Sequence, residues 1–386
     1  MSTAASLEAQ TRSWPRRHRR ELLVGVILFV AIALAVGAAL SWHFSSAVVV
    51  PNRSSLAPDA TVQAVSGERI VLSRSADTLR PGVYGLEWHG GHAIVEGVIA
   101  STSHSVTRRL NPASARPPVA ASVAVDNSVY VGNPRQALGL PFTEVRVPDE
   151  LGPMPAWLIP GRTHTWTIVV HGINSDRDDV MRIAPALHAA GSSTLLITYR
   201  EDVGAPPSPD GLHHMGLTEW RDLQAAVGYA LAHGAQRIVL AGYSMGGAIV
   251  SQFMERSPLA HSVSGLILDA PALDWKSVLA FNAKEMGLPS FAALPVEWMV
   301  GARIDADWNS LDALRHTAYF HLPILLFHGS EDKLVPISIS NAFASALPGW
   351  VTYYRVPHAA HVESWNVDPS SYDQRVGRFL ARLGVK

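Results

Sequence analysis

The 386-residue chain contains no cysteine. Disulfides, thiolate metal sites and a cysteine nucleophile are therefore excluded. The redox compartment stays open, because a chain without thiols is safe in either environment. Charge is also scarce. Charged residues make up 16% of the chain and the formal net charge is −1, so there is no electrostatic footprint for nucleic acid or for a generally acidic partner. No internal repeat is evident. One stretch lacks charged residues altogether, from Leu22 until Arg53.

What is present in that stretch is the run "LLVGVILFVAIALAVGAAL", Leu22 to Leu40, preceded by "RRHRRE" at Arg16 to Glu21. Nineteen residues at about 1.5 Å each give about 28 Å, close to the hydrocarbon thickness of a bilayer. The basic cluster lies on one side only. The positive-inside rule then keeps residues 1–20 in the cytoplasm, places a signal-anchor helix at 21–43 and sends the rest outside. A cleaved signal peptide is the competing reading, with small residues at Gly37-Ala38-Ala39 and Ser45-Ser46-Ala47. The apolar run exceeds a usual signal-peptide core and its leading segment is long, which favours the uncleaved anchor.

Residues 44–60 read as a juxtamembrane linker, and the linker with a β-rich accessory region spans 44–140. From Thr61, short segments rich in β-branched and aromatic residues are broken by Gly, Pro and Asn. "WHGGH", Trp88 to His92, reads as a turn with surface histidines, since no third ligand stands near His89 and His92. From 141 to 386 the rhythm changes. Apolar strands such as "TWTIVVHG", "STLLITYR", "RIVLAGYS" and "LPILLFHGSED" alternate with amphipathic helices, among them one with Thr218 as its expected N-cap. That pattern predicts a mostly parallel sheet covered by helices on both faces. Residues 272–320 break the alternation and predict a small helical insert that roofs a site.

"LAGYSMGGAIV", Leu240 to Val250, follows one of these strands. A strand-to-helix turn tight enough to lift Ser244 above the sheet crowds the backbone, so Gly242 and Gly246 supply positions without a Cβ. The Met245 N–H falls at the start of the following helix, where unpaired donors favour an anion. A serine hydroxyl needs a base, and the base needs an orienting carboxylate. Asp332 lies just past one strand end and the histidines His358 and His361 just past the next, on the same predicted edge as Ser244. Asp269 competes with Asp332 for the acid, with a structural role as its other assignment, and His358 competes with His361 for the base. Glu331 reads as solvated. Arg177 and Arg182 are weighed as contacts for an anionic substrate against a solvated helix face, which is preferred. His213 and His214 are assigned no role.

"HGIN" (His171 to Asn174), "GYSMGG" (Gly242 to Gly247), "HGSEDKLVP" (His328 to Pro336) and "HAAHVESW" (His358 to Trp365) together resemble the serine α/β-hydrolases, of the bacterial esterase/lipase and S33-peptidase-like sort. The resemblance implies an α/β-hydrolase fold with a helical lid and a triad of Ser244, Asp332 and His361. It also implies an oxyanion hole from the N–H groups of Met245 and Ile173, with His171 shaping that loop. The expected activity is cleavage of carboxylic esters through an acyl-serine, with no metal or organic cofactor. The expected substrate is a small-molecule or lipid ester, and the membrane is met through the N-terminal helix. Amide cleavage and acyl transfer use the same triad, and a membrane-tethered binding protein is the non-catalytic alternative. Trp275, Trp298 and Trp308 are set between an acyl-chain site and packing of the lid.

Overall fold

A computed structural model describes residues 16–54 and 57–385. Most of the basic N-terminal segment, residues 1–15, lies outside them. Helix α1 spans Arg16–Val49. Its segment Arg20–Val49 is long and apolar enough to cross a membrane. The helix runs past the expected end at 43 and takes up the first residues of the expected linker. No Gly or Pro interrupts "SWHFSSAVVV", and Pro51, which disfavours helix at the residue before it, is the first breaker.

Six antiparallel strands follow: β1 Ala60–Ser66, β2 Arg69–Ser73, β3 Tyr84–Trp88, β4 Gly91–Ser101, β5 Ser105–Leu110 and β6 Ser122–Asp126. They close into a barrel in the order β1-β2-β5-β4-β3-β6. Closure leaves no free sheet edge. Inward residues alternate along the strands, as Ile70 and Leu72 do on β2, and with Val62, Tyr84, Leu86, Val95 and Val123 they form the barrel core. Arg108 is also fully buried there. Its guanidinium donates to four backbone carbonyls, those of Glu96, Thr78, Arg80 and Gly82, at 2.7–3.0 Å. His92 is half-buried rather than on the surface, and a Cβ at Gly85 would lie 3.0 Å from its Nε2.

The remaining elements are α2 Pro134–Leu138, β7 Thr143–Val147, β8 Met154–Ile159, β9 Thr165–Val170, α3 Ala184–Ala189, β10 Ser193–Ile197, α4 Trp220–Ala232, β11 Arg237–Tyr243, α5 Met245–Arg256 and β12 Val263–Asp269. Then come α6 Trp275–Glu285, α7 Leu294–Ile304, β13 Ile324–Gly329, α8 Ile337–Ala346, β14 Val351–Val356, α9 Ser364–Val367 and α10 Pro369–Arg382. The sheet order is β14-β13-β12-β11-β9-β10-β8-β7. Strands β9 to β14 run parallel, while β7 and β8 form an antiparallel hairpin at one edge.

Strand residues divide between two faces with a period of two. Ile168 and Val170, Leu240, Leu266 and Leu326 pack with α4, α5 and α8. Val169, Val239, Ile267 and Leu325 pack with α3 and α10. Each fully buried Leu, Ile or Val contributes roughly 1.5–3 kcal/mol, so the two cores hold the sheet rigid beneath its C-terminal edge. Helix α4 starts at Trp220, not after a Thr218 cap. The Glu219 carboxylate instead gathers the N–H groups of His214, Gly216 and Thr218 from the preceding loop.

The segment 272–320 carries α6 and α7, joined and followed by short 3-10 turns. Helix α7 packs on the C-terminal end of α1. Arg303 donates to Ser45 and Ser46 at 2.9 and 2.8 Å and lies 4.3 Å over the Trp42 ring. Beyond that contact Val49 is fully buried, and its carbonyl accepts from the His213 N–H at 2.8 Å.

Candidate active site

Strand β11 ends at Tyr243 and α5 begins at Met245, leaving Ser244 alone at the turn with φ 52° and ψ −119°. A non-glycine residue accepts that conformation only when its surroundings fix it. The Ser244 N–H donates to Asp269 O at 3.1 Å, and its carbonyl accepts from Gly247 and Ala272, both at 3.0 Å. The glycines permit the close approach of chains. A Cβ at Gly246 would lie 2.3 Å from Val170 O, and one at Gly242 would lie 2.7 Å from Gly246 O.

The structure brings three of the expected residues into one hydrogen-bonded row. Ser244 Oγ is 2.8 Å from His361 Nε2, and His361 Nδ1 is 2.7 Å from Asp332 Oδ2. An ionised carboxylate only accepts. Nδ1 must therefore carry the proton toward Asp332, which leaves the Nε2 lone pair to accept from the serine hydroxyl. Ser244 keeps 9% of its surface exposed and the His361 side chain 16%, so the row is reachable but shielded.

Asp332 is fixed twice more. Its Oδ1 accepts from the N–H groups of Leu334 and Val335 at 2.8 and 2.9 Å. Its Oδ2 faces Nε2 of the fully buried His328 at 3.3 Å. Burial alone would raise this carboxyl, but hydrogen bonds from His328 and His361 outweigh burial and hold it well below the usual carboxylate range. His328 is not among the residues expected from the sequence. Its Nε2 also lies 3.0 Å from Val335 O and its Nδ1 2.7 Å from Ser340 Oγ, so it braces the acid rather than reaching the serine.

The competing residues point elsewhere. Asp269 is buried and accepts from Ser364 Oγ at 2.8 Å. His358 is exposed and lies 3.0 Å from the exposed Glu331 carboxylate. Arg182 is not on a solvated face. It is buried and donates to the carbonyls of Asn127, Asp179 and Val362. Arg177 stacks 4.3 Å over Trp157. Trp275 is buried and donates to Met215 O, whereas Trp298 stands exposed.

The loop that follows β9 is held by the buried pair His171–Asp202. His171 Nε2 lies 2.9 Å from Asp202 and Nδ1 lies 2.9 Å from Gly172 O. Both ring nitrogens face acceptors, which is the pattern of an imidazolium. Burial would lower the His171 pKa, but Asp202 and the Gly172 carbonyl push it up to about 9. Tyr199 adds a hydrogen bond to Gly172 O at 2.6 Å. With that carbonyl pinned, the N–H of the same peptide, that of Ile173, points the opposite way. A Cβ on Gly172 would lie 3.2 Å from Ser244 Cβ, so this peptide sits against the serine. Among the described residues, neither the Ile173 nor the Met245 N–H has a protein acceptor. No cluster of three or more His, Asp or Glu side chains suited to a metal ion occurs among them either. A surface cleft of about 530 Å³ lined by Pro148, Glu150, Trp220, Arg221 and Leu259 lies apart from the triad residues.

Comparison with known proteins bears on the fold. Residues 162–319 match the family described as serine aminopeptidase, S33, and residues 61–126 match a domain of unknown function, DUF8805. The fold resembles the esterase Pf2001 of Pyrococcus furiosus, with a TM-score of 0.53 and 23% identity, over 65% of this chain and 97% of that one. It also resembles DcsB, solved with a substrate analogue, with a TM-score of 0.50 and 15% identity, over 63% and 99% of the two chains. In sequence the chain is 27% identical over 237 residues to the uncharacterized protein Rv2307c of Mycobacterium tuberculosis, covering 59% of this chain and 75% of that one. The chain has the α/β-hydrolase fold, and over residues 162–319 it is similar to the S33 serine aminopeptidases. Beyond that fold it carries two additions, an apolar N-terminal helix and a closed β-barrel ahead of the hydrolase sheet.

Proposed function

We propose that this protein is a membrane-anchored, extracytoplasmic serine hydrolase that cleaves carboxylic esters through an acyl-serine intermediate. The observation that carries the reading is the continuous row Ser244–His361–Asp332, joined at 2.8 and 2.7 Å. His361 Nε2 takes the Ser244 proton as Oγ attacks the ester carbonyl. Asp332, ionised and immobile, offsets the imidazolium. The Met245 and Ile173 N–H groups receive the developing oxyanion, each worth about 3–4 kcal/mol in the transition state. His361 then gives its proton to the leaving alcohol, and activates water to release the acid.

The substrate reading rests on where the lid sits. The apolar run ends near Leu40, Trp42 follows at the level where a bilayer's aromatic belt lies, and α7 is docked on the next turns through Arg303. Phe291, Leu294 and Trp298 are 69%, 59% and 71% exposed. Their spacing puts them on one stripe, on or just before the helix that grips the base of the anchor. That stripe suits contact with lipid and favours an ester with a long acyl chain. The S33 match is the observation that favours amide cleavage instead.

Full-length protein in nanodiscs, assayed on p-nitrophenyl esters of increasing chain length beside aminoacyl p-nitroanilides, decides between them. The account expects kcat/KM to rise with acyl length. A strong preference for the anilides overturns the esterase reading. Protease digestion of intact cells tests the topology, and a hydrolase domain protected in the cytoplasm refutes it.

A further inference from the structure

The barrel of β1–β6 has no part in the chemistry above, yet it grips the loop that carries His361. Glu363, two residues on, is buried, and its carboxylate receives Arg80 and the Tyr84 hydroxyl from the barrel, the latter at 3.1 Å. Its Oε2 also accepts from the Ala360 N–H, on the other side of His361, at 3.2 Å. Asn366 is buried as well. Its carbonyl accepts from the Val83 N–H at 2.8 Å, and its side chain donates to Val83 O and Asn127 O, both at 2.9 Å. Asn127, just past β6, donates to the His361 carbonyl itself at 3.3 Å. The two chains approach so closely that a Cβ at Gly82 would lie 2.0 Å from Asn366 O.

The loop needs such a grip. His358 and Val362, on either side of His361, have φ of 62° and 52°. A β-branched residue does not hold positive φ unless its surroundings impose it. Arg182 pins the Val362 carbonyl at 2.8 Å and the Asn127 carbonyl at 3.2 Å, joining loop and barrel edge in one buried guanidinium. On the barrel side, Arg108 fastens the carbonyls of Thr78, Arg80 and Gly82, the segment that presents Arg80. Two buried arginines, both spent on backbone carbonyls, thus stand at the two ends of one chain of contacts that leads to the histidine.

We infer that the barrel is a clamp for the base of the triad: through Arg80, Tyr84 and Asn127 it holds the 358–366 loop in its strained form and keeps His361 in register with Ser244 and Asp332. These three are positioning residues, and the inference rests on the triad reading given above. Arg80→Ala/Tyr84→Phe strips Glu363 of both barrel donors. The full-length chain in detergent then loses kcat on p-nitrophenyl butyrate by about tenfold to a hundredfold at unchanged KM, and Ser244 labels with a fluorophosphonate correspondingly more slowly. Arg80→Lys in the Tyr84-containing protein keeps a cation on Glu363 and retains kcat within about threefold.

A thermodynamic cycle separates positioning from general loosening. In an Asp332→Asn background the imidazole has already lost its orienting partner, so the same pair of substitutions slows labelling by less than about threefold. Equal losses in both backgrounds, or full kcat in the stripped variant, overturn the clamp. Should the double variant fail to melt cooperatively, Tyr84→Phe alone, which removes one hydroxyl, carries the same cycle with a smaller effect. Wild-type protein that neither turns over esters nor labels at Ser244 overturns the triad reading and the clamp together. An active wild type with additive losses overturns the clamp alone.

Discussion

The buried pair His171–Asp202 makes stability fall with pH over a defined window. In the folded chain His171 has no solvent exposure and offers both ring nitrogens to acceptors, Asp202 and Gly172 O, each at 2.9 Å. Its pKa is pushed up to about 9, from the 6.5 of a free histidine. Between these values the folded state holds a proton that the unfolded state has released, so stability declines as pH rises. The pair's contribution is fully present below pH 6.5 and lost as pH passes about 9. The shift corresponds to on the order of 3 kcal/mol, a melting-temperature change of several degrees. Thermal melts of the full chain in detergent, stepped from pH 6 to 9.5, read it directly. Asp202→Asn isolates it from tyrosines and lysines that titrate at the alkaline end, because the variant starts lower at pH 6 and lacks the extra slope. Parallel curves for the two proteins would refute the imidazolium assignment and, with it, the account of how the Gly172–Ile173 peptide is held.

Three further outcomes follow from the site. Ser244→Gly should be more stable than Ser244→Ala by about 1 kcal/mol in chemical denaturation, since both lose the hydroxyl but glycine relieves the positive φ; the reverse order would mean that the turn is unstrained. His361→Ala should lower kcat on p-nitrophenyl esters by roughly 10⁴-fold or more while His358→Ala leaves it within about twofold; comparable losses would mean that the base has been misassigned. Gly82→Ala should lower both the melting temperature and kcat, because the added Cβ meets unyielding backbone, Asn366 O at 2.0 Å and Val367 Cα at 2.8 Å; an unchanged protein would show that barrel and loop separate freely.

The fold and the elbow were legible because local constraints write them. A buried parallel strand must be apolar along its length, and a tight turn between strand and helix must drop its Cβ atoms, so "RIVLAGYSMGGA" announces both. The end of α1 was misplaced because it rests on a negative feature, the lack of a breaker before Pro51, rather than on a cap. Thr218 looked like an N-cap, but the N–H groups of Arg221, Asp222 and Leu223 go to the backbone carbonyls of Thr218 and Glu219, while the Glu219 side chain ties down the preceding loop. Arg182 read as solvated from its charge. Only coordinates reveal three carbonyls converging on it. The barrel's hold on the histidine loop was out of reach for the same reason, since Arg80 and Glu363 stand 283 residues apart. His328 and Glu363 stand inside "HGSEDKLVP" and "HAAHVESW", and their spacing from Asp332 and His361, four residues and two, is the signal the sequence offers for them.

The central claim, that Ser244 is the nucleophile, is tested most directly by intact-mass spectrometry after incubation with a fluorophosphonate, followed by peptide mapping. The account predicts one adduct per chain, located on Ser244, absent in Ser244→Ala and formed far more slowly in His361→Ala. A folded wild-type protein that takes up no label, or an adduct that survives Ser244→Ala, would contradict it.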